Sequence, residues 1–247
     1  MDINPKGAFR ASFDAVGNAL LSPPKRGFGY FRNHGPRDQR KVALTFDDGP
    51  NAPSTERLLD LMSEQNVKGT FFCVGINTTW NPDIVARAFA DGHVIGNHSM
   101  YHVRKGALQI TNGNHIDQAE DAITQVIGCR PLLYRPPWGW LTPWEGYRLT
   151  QRGYTVIGWD VFTLDWQTPE PAGGPMASEA RAKTRPGSII LFHDGKPYVK
   201  NWEKPGTLEA IKQLVPALRA EGYEFVTIPE LLNIPAYGSI VPEPVRR

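Results

Sequence analysis

The chain reads as an α/β protein built on a mostly parallel sheet with helices on both faces, and three observations carry that reading. Seven short apolar runs of strand length recur between residues 41 and 226. Stretches with apolar residues at helical spacing separate them, as strand–crossover–strand units require. The runs are apolar through most of their length rather than strictly alternating, the mark of strands covered on both faces.

The first run, Lys41-Val42-Ala43-Leu44-Thr45-Phe46, breaks into a turn at Asp47-Asp48-Gly49-Pro50. A helix over residues 54–66 follows, with Leu58, Leu61 and Met62 on one face, and then the run Gly69-Thr70-Phe71-Phe72-Cys73-Val74. Residues 82–90 give the next helix and His93-Val94-Ile95-Gly96-Asn97 the third strand. Ile116, Ala119, Ile123, Val126 and Ile127 share a helical face that Gly128 stops. Leu132-Leu133-Tyr134-Arg135 is the fourth strand; a helix at 143–152 leads to the fifth, residues 154–160, and Ser188-Ile189-Ile190-Leu191-Phe192 is the sixth. A helix over 207–221, which Pro216 is expected to kink, precedes the seventh, Tyr223-Glu224-Phe225-Val226.

Residues 1–40, rich in Gly, Pro and Arg with aromatics at Phe28, Tyr30 and Phe31, are expected as an irregular N-terminal extension packed on a main domain of residues 41–235. Residues 236–247, with Pro242 and Pro244, are expected as a frayed tail. At 247 residues one large domain is the default, and it needs no disulfide to build a core. Lys and Arg number 27 against 25 Asp and Glu, so charge gives no reason to expect a nucleic acid or an anionic membrane as partner. The basic run from Lys25 to Lys41 reads as a solvated, loosely ordered leader. No stretch reaches the roughly 20 apolar residues of a membrane span, and Met1-Asp2-Ile3-Asn4 opens no signal peptide. A secreted protein expressed without its leader would look the same, so the compartment is open. Cys73 and Cys129 are read as free and buried, and a monomer is the default.

In parallel α/β folds ligands bind beyond the carboxyl ends of the strands. The first strand ends in Asp47 and Asp48, adjacent acids that repel unless a cation or proton separates their roles; the bland alternative is that Asp-Gly-Pro supplies only a turn. After the third strand comes His98-Ser99-Met100-Tyr101-His102. If that segment is helical, both imidazoles leave on one face; singly, such a pair is more readily solvent-exposed than metal-binding. Two imidazoles and a carboxylate suit Zn²⁺ or a similar ion with positions left open for water and substrate. Arg135-Pro136-Pro137-Trp138-Gly139 follows the fourth strand, Asp165-Trp166 the fifth, and His193-Asp194-Gly195 the sixth. Alone, Arg135 has an ordinary explanation in a salt bridge and His193 in a capped strand end. Their joint placement argues for a site.

In that order, TFDDGP, HSMYH, RPPWG, DW and LFH resemble the motif series of the polysaccharide deacetylases, the NodB homology domain of carbohydrate esterase family four, over about residues 41–232. The resemblance implies a distorted seven-stranded (β/α) barrel and a metal-dependent hydrolase that removes N-acetyl groups from N-acetylglucosamine-containing glycans, of chitooligosaccharide or peptidoglycan type, releasing acetate. It implies Asp47 as general base, with Arg135 fixing its orientation. Asp48, His98 and His102 would hold the divalent metal, Zn²⁺ first, with Co²⁺ or Ni²⁺ as substitutes. Asp165 would keep His193, the general acid, protonated. The backbone N–H of Trp138 would stabilise the oxyanion, and Trp166 with Leu191 would wall a pocket for the acetyl methyl. The family more often has Tyr where this chain has Trp138, a swap that spares a backbone donor and alters the sugar-binding surface. Two alternatives stay open: the same site acting on O-acetyl esters of xylan, and a glycan-binding protein with an inactive site. A metal-independent branch acting on cyclic amides is disfavoured by the presence of both histidines. Trp138, Trp140, Trp144 and Trp202 fall in or near rim loops, as sugar platforms or as buried anchors.

Overall fold

The structure, a computed structural model, describes residues 29–102, 114–167 and 169–238. The chain gives β1 (Phe31–Arg32), β2 (Lys41–Asp47), β3 (Ala52–Pro53), α1 (Ser54–Glu64), β4 (Thr70–Cys73), α2 (Gly75–Trp80), α3 (Pro82–Ala90) and β5 (Val94–Asn97). There follow α4 (Asn114–Ile127), β6 (Arg130–Pro131), β7 (Leu133–Tyr134), α5 (Pro143–Gln151), β8 (Thr155–Ile157), β9 (Val161–Phe162), α6 (Gly173–Lys183) and β10 (Ile189–His193). Last come β11 (Asn201–Trp202), α7 (Pro205–Ala220), β12 (Glu224–Phe225), α8 (Ile228–Leu232) and β13 (Tyr237–Gly238).

Nine strands share one parallel sheet in the order β1-β8-β7-β5-β4-β2-β10-β9, with β12 also beside β2. All seven expected strands are in it. The expected fifth strand is split: β8 pairs with β7 and β9 with β10, so residues 158–160 cross from one edge of the sheet to the other. Residues 31–35 bridge the same gap. Gly158 N–H donates to the Arg32 carbonyl at 2.9 Å, Gly35 N–H to Gly187 O at 2.8 Å, and His34 forms a single antiparallel bridge with Ser188. The result is a distorted barrel whose closing segment lies within the stretch expected to be an irregular extension.

Side-chain alternation divides the core. Val42, Leu44 and Phe46 face outward and pack under α1 and α7 with Leu58, Met62, Ile211 and Leu214. Ala43 joins Phe72, Leu133, Ile157, Ile189 and Leu191 inside the barrel, where Ile228 and Leu231 of α8 also pack. By the same period of two, Thr45 and Asp47 point inward above Ala43, and His193 above Leu191.

Three helices were not anticipated: α2, α6 and the five-residue α8. The buried face of α6 is Gly173, Met176, Ala177 and Ala180, and a Cβ on Gly173 would meet Ala210 N of α7 at 2.7 Å, so the packing relies on small residues that leave no periodic apolar signal. α2 buries Gly75, Asn77 and Thr78, for the same reason silent. α7 runs as one helix through Pro216 and starts at Pro205, where a missing N–H costs nothing. Cys73 is buried as expected, Cys129 only partly, and both are free. The first residues of the expected tail are tied down: β13 pairs antiparallel with β6, and Tyr237 Oη accepts from Ile95 N–H at 2.8 Å. Residues 239–247, and Lys25, Arg26 and Phe28 of the basic leader, lie outside the described residues. Among the described residues no helix is long and apolar enough to cross a membrane.

Candidate functional site

β2 and β10 are neighbours in register, which sets Asp47 opposite His193 at the carboxyl end of the barrel. Asp48 then takes a left-handed conformation, φ 76°, and Gly49 follows where a Cβ would lie 2.0 Å from Asp194 Oδ2, so only glycine fits. The reversal separates the adjacent carboxylates. Asp48 Oδ1 lies 3.1 Å from His102 Nε2 and 3.4 Å from His98 Nε2, while Asp47 Oδ2 is 3.8 Å from His98 Nε2.

The histidine segment is not a helix, contrary to the spacing argument. Ser99 and His102 are left-handed, φ 66° and 41°, and the loop between them brings the rings to 4.9 Å by folding back. Asn97 holds that loop: its Oδ1 accepts from Ser99 N–H at 2.8 Å, and its Nδ2 donates to Ile116 O at 2.9 Å and Tyr154 Oη at 3.2 Å. His98 Nδ1 lies 2.7 Å from the Arg135 carbonyl, an acceptor only, so Nδ1 carries the proton. In the neutral ring Nε2 then turns a lone pair toward Asp48 Oδ1, which is buried and has no hydrogen-bond partner. Acceptors facing each other at this distance call for a cation between them. Ligands about 2.0–2.1 Å from a tetrahedral ion lie roughly 3.3 Å apart, and the two Asp48–imidazole distances match that spacing. Asp48, His98 and His102 are the group among the described residues whose ligand atoms, all within 4.8 Å of one another, could hold a metal ion. Burial alone would raise the Asp48 pKa, but His102 first, then His98 and His193, hold it well below the usual carboxylate range. Burial also depresses His102, which keeps its ring neutral and available as a ligand.

Arg135 is fully buried. It donates to Asp47 Oδ1 at 2.7 Å, Thr45 Oγ1 at 2.8 Å, Gly158 O at 2.8 Å and Ile157 O at 3.3 Å, with its guanidinium 4.1 Å from the Phe72 ring. Asp47 is thereby fixed through Oδ1, and Oδ2 is left toward the histidines. On the other side, Asp165 accepts from the His193 backbone N–H at 2.6 Å with Oδ2 and pairs with His193 Nδ1 at 3.0 Å through Oδ1. Burial works against the imidazolium, yet the charge and hydrogen bond of Asp165, helped by Asp48 and Asp47, lift the His193 pKa to about 9. Lys204, itself buried, donates to the Asp165 carbonyl and pairs with Glu170 at 3.1 Å.

The aromatic residues singled out in the sequence divide. Trp138 is half-exposed in a short turn, φ 62°, with its ring 5.2 Å from His102; Trp166 is half-exposed with its ring 5.7 Å from His193. Leu191 is buried on β10, on the face that carries His193. Trp144 is exposed on α5, stacked on Tyr147, whereas Trp140 and Trp202 are partly buried.

Sequence reasoning missed a buried polar knot behind the metal-ligand cluster. Asn77 Nδ2 donates to Asp48 O at 3.1 Å and Lys196 O at 3.0 Å, and its Oδ1 accepts from Tyr198 N–H at 3.1 Å. Asn51 Oδ1 accepts from Lys196 N–H at 2.8 Å, and Thr55 donates to Asp194 Oδ2 at 2.5 Å. Asn51 and Asn77 are completely buried. Asn51 directly follows the TFDDGP motif, which was its one available signal; Asn77 had none.

Comparison with known proteins agrees with this geometry. The profile of the family described as polysaccharide deacetylase matches residues 34–157. The chain is 32% identical over 200 residues to a peptidoglycan-N-acetylglucosamine deacetylase of Bacillus cereus, covering 81% of this chain and 70% of that one. It is 30% identical over 200 residues to a chitooligosaccharide deacetylase of Rhizobium leguminosarum bv. trifolii, covering 78% of this chain and 92% of the other. The crystal structure of the Bc1960 peptidoglycan N-acetylglucosamine deacetylase superposes with a TM-score of 0.76 at 31% identity, over 84% of this chain and 94% of that one. With the profile reaching from the barrel's closing segment through β8, and with these relatives matched over most of their length, the chain belongs to the polysaccharide deacetylase family.

Proposed function

We propose that the chain is a metal-dependent hydrolase that removes N-acetyl groups from N-acetylglucosamine-containing glycans, of chitooligosaccharide or peptidoglycan type, and releases acetate. The observation that carries this reading is the cluster of Asp48, His98 and His102 placed between an Arg135-fixed carboxylate, Asp47, and an Asp165-paired imidazole, His193. The nitrogen-rich donor set favours Zn²⁺, with Co²⁺ or Ni²⁺ able to substitute. When bound, such an ion supplies Lewis acidity toward the substrate carbonyl and toward water. Asp47 Oδ2 takes the proton of the attacking water. The Trp138 N–H donates to the oxygen on which negative charge develops. His193 gives a proton to the departing nitrogen, while Trp166 and Leu191 receive the acetyl methyl.

An ester and an amide would both fit the carbonyl end of this site, and the acid distinguishes them. An amine is a poor leaving group until protonated, and a His193 held charged above neutral pH serves amide cleavage where an ester needs little help. The names of the relatives point the same way. Mass spectrometry of chitooligosaccharides, peptidoglycan fragments and acetylated xylan after incubation with the Zn²⁺-loaded protein tests the reading. Acetate loss from the N-acetylated glycans is expected to exceed that from xylan; loss from xylan alone would assign the site to esters, and glycan binding with no acetate release would assign it to recognition.

The His193 assignment has its own signature. A general acid works only while it holds its proton, so activity falls as pH rises through its pKa. Asp165→Asn removes the charge that raises that pKa, and the alkaline limb of kcat/KM is expected to move to lower pH by about one unit or more, with roughly tenfold lower activity at pH 8. A divalent cation nearby works against the raised pKa by like-charge repulsion, so the limb of the loaded enzyme lies below about 9, but the direction of the change is the same. A limb that does not move in the pH profile would remove His193 from the role of acid.

A further inference from the structure

Three half-exposed aromatic rings, those of Trp138, Trp166 and Tyr198, belong to loops that follow strands of the sheet. Tyr198 comes from the loop after β10. Tyr101, the residue before His102, comes from the loop after β5, and β2 and β4 lie between β5 and β10 in the sheet. The β10 loop therefore arches over the ends of two strands to set the Tyr198 ring parallel to that of Tyr101, at 6.4 Å and 10° between planes, with its hydroxyl donating to the Tyr101 carbonyl. The buried asparagine knot holds the arch: Asn77 takes the Tyr198 N–H, Asn51 takes the Lys196 N–H, and the same Asn77 donates to the carbonyl of Asp48.

Tyr198 is also left-handed, φ 61°, where a side-chain-bearing residue is disfavoured and glycine is the ordinary choice. Such strain persists only where the surroundings impose it, and it clusters at ligand sites. The residue it holds is 47% open to solvent. β7, which leads to Trp138, flanks β5 on the side away from β4, so Trp138, whose ring lies 5.2 Å from that of His102, and Tyr198, which bonds to the carbonyl of the preceding Tyr101, come from strands on opposite sides of β5. Sugars offer an apolar C–H face to such rings while their hydroxyls stay in water.

We propose that Tyr198 is a specificity-determining residue whose ring stacks on the sugar adjoining the one that loses its acetyl group, so that the site selects chains over single sugars. The proposal rests on the deacetylase reading. Tyr198→Gly deletes the ring while suiting the left-handed backbone, and Tyr198→Phe keeps the ring without the hydroxyl. Made in an Asp47→Asn background, Tyr198→Gly is expected to weaken calorimetric binding of the N-acetylglucosamine tetramer by about five- to tenfold and to leave binding of single N-acetylglucosamine unchanged. In the otherwise native enzyme the KM for the tetramer should rise by a similar factor with kcat within about twofold, and Tyr198→Phe should behave as the parent. Unchanged tetramer affinity, no tetramer binding by the parent, or equal weakening of the single sugar and the tetramer would each overturn the proposal. Tetramer binding that depends on Tyr198 in a protein that releases no acetate would sink the deacetylase reading and leave the stacking site standing.

Discussion

Asp47→Asn is expected to lower kcat by about a thousandfold or more while the protein keeps its bound metal and its KM. The asparagine has the shape of the aspartate and can still accept from Arg135 through its amide oxygen, so the buried guanidinium keeps a partner. What disappears is the basic Oδ2, the oxygen that Arg135 leaves uncovered on the side of His98. Alanine would be a poorer choice. Removing one member of a buried ion pair typically costs about 3–5 kcal/mol, and a fully buried Arg135 without a counter-charge would confuse lost chemistry with lost folding. Acetate release under single turnover, beside metal content after dialysis, checks the prediction. Turnover like that of the native enzyme would refute Asp47 as the base; loss of the metal together with activity would show that Asp47 acts as a ligand.

Much of this was legible in the sequence because parallel strands buried on both faces write themselves as apolar runs. The polar residues that end those runs are placed by topology alone at one rim. β1 was not legible: Phe31-Arg32 lies among Gly, Pro and Arg, and it joins the sheet through backbone bonds that no side-chain pattern announces. α6 hid because its contact with α7 is made by glycine and alanine. The histidine pair shows how a correct pairing can come with a wrong cause. A spacing of four is shared by one helical turn and by a loop with two left-handed residues, and Asn97 decides for the loop by capturing the Ser99 N–H. Asn51 and Asn77 were illegible for a more general reason: an asparagine completely buried by hydrogen bonds reads, one residue at a time, like one at the surface.

His102→Ala is expected to reduce affinity for the divalent ion by at least about a hundredfold and to bring acetate release to background at ordinary metal concentrations. His102 is the informative ligand to remove. His98 also donates to the Arg135 carbonyl and Asp48 lies in the turn gripped by Asn77, so changing either disturbs the scaffold, whereas the His102 ring meets Asp48, His98 and the half-exposed Trp138. The cluster stands on loops above the barrel, and the two apolar clusters beneath the helices and inside the strands do not include it. Removing the ion should therefore leave the fold in place, with a drop in Tm no larger than the mass-action term for a lost ligand, about 3–4 kcal/mol at a hundred to a thousand times Kd. Far-ultraviolet dichroism should be unchanged on chelation, and activity should return when Zn²⁺ is added back to the native chain and not to the variant. Acetate release that survives exhaustive chelation, or a variant that binds the ion as the native protein does, would break the assignment of Asp48, His98 and His102 as one centre.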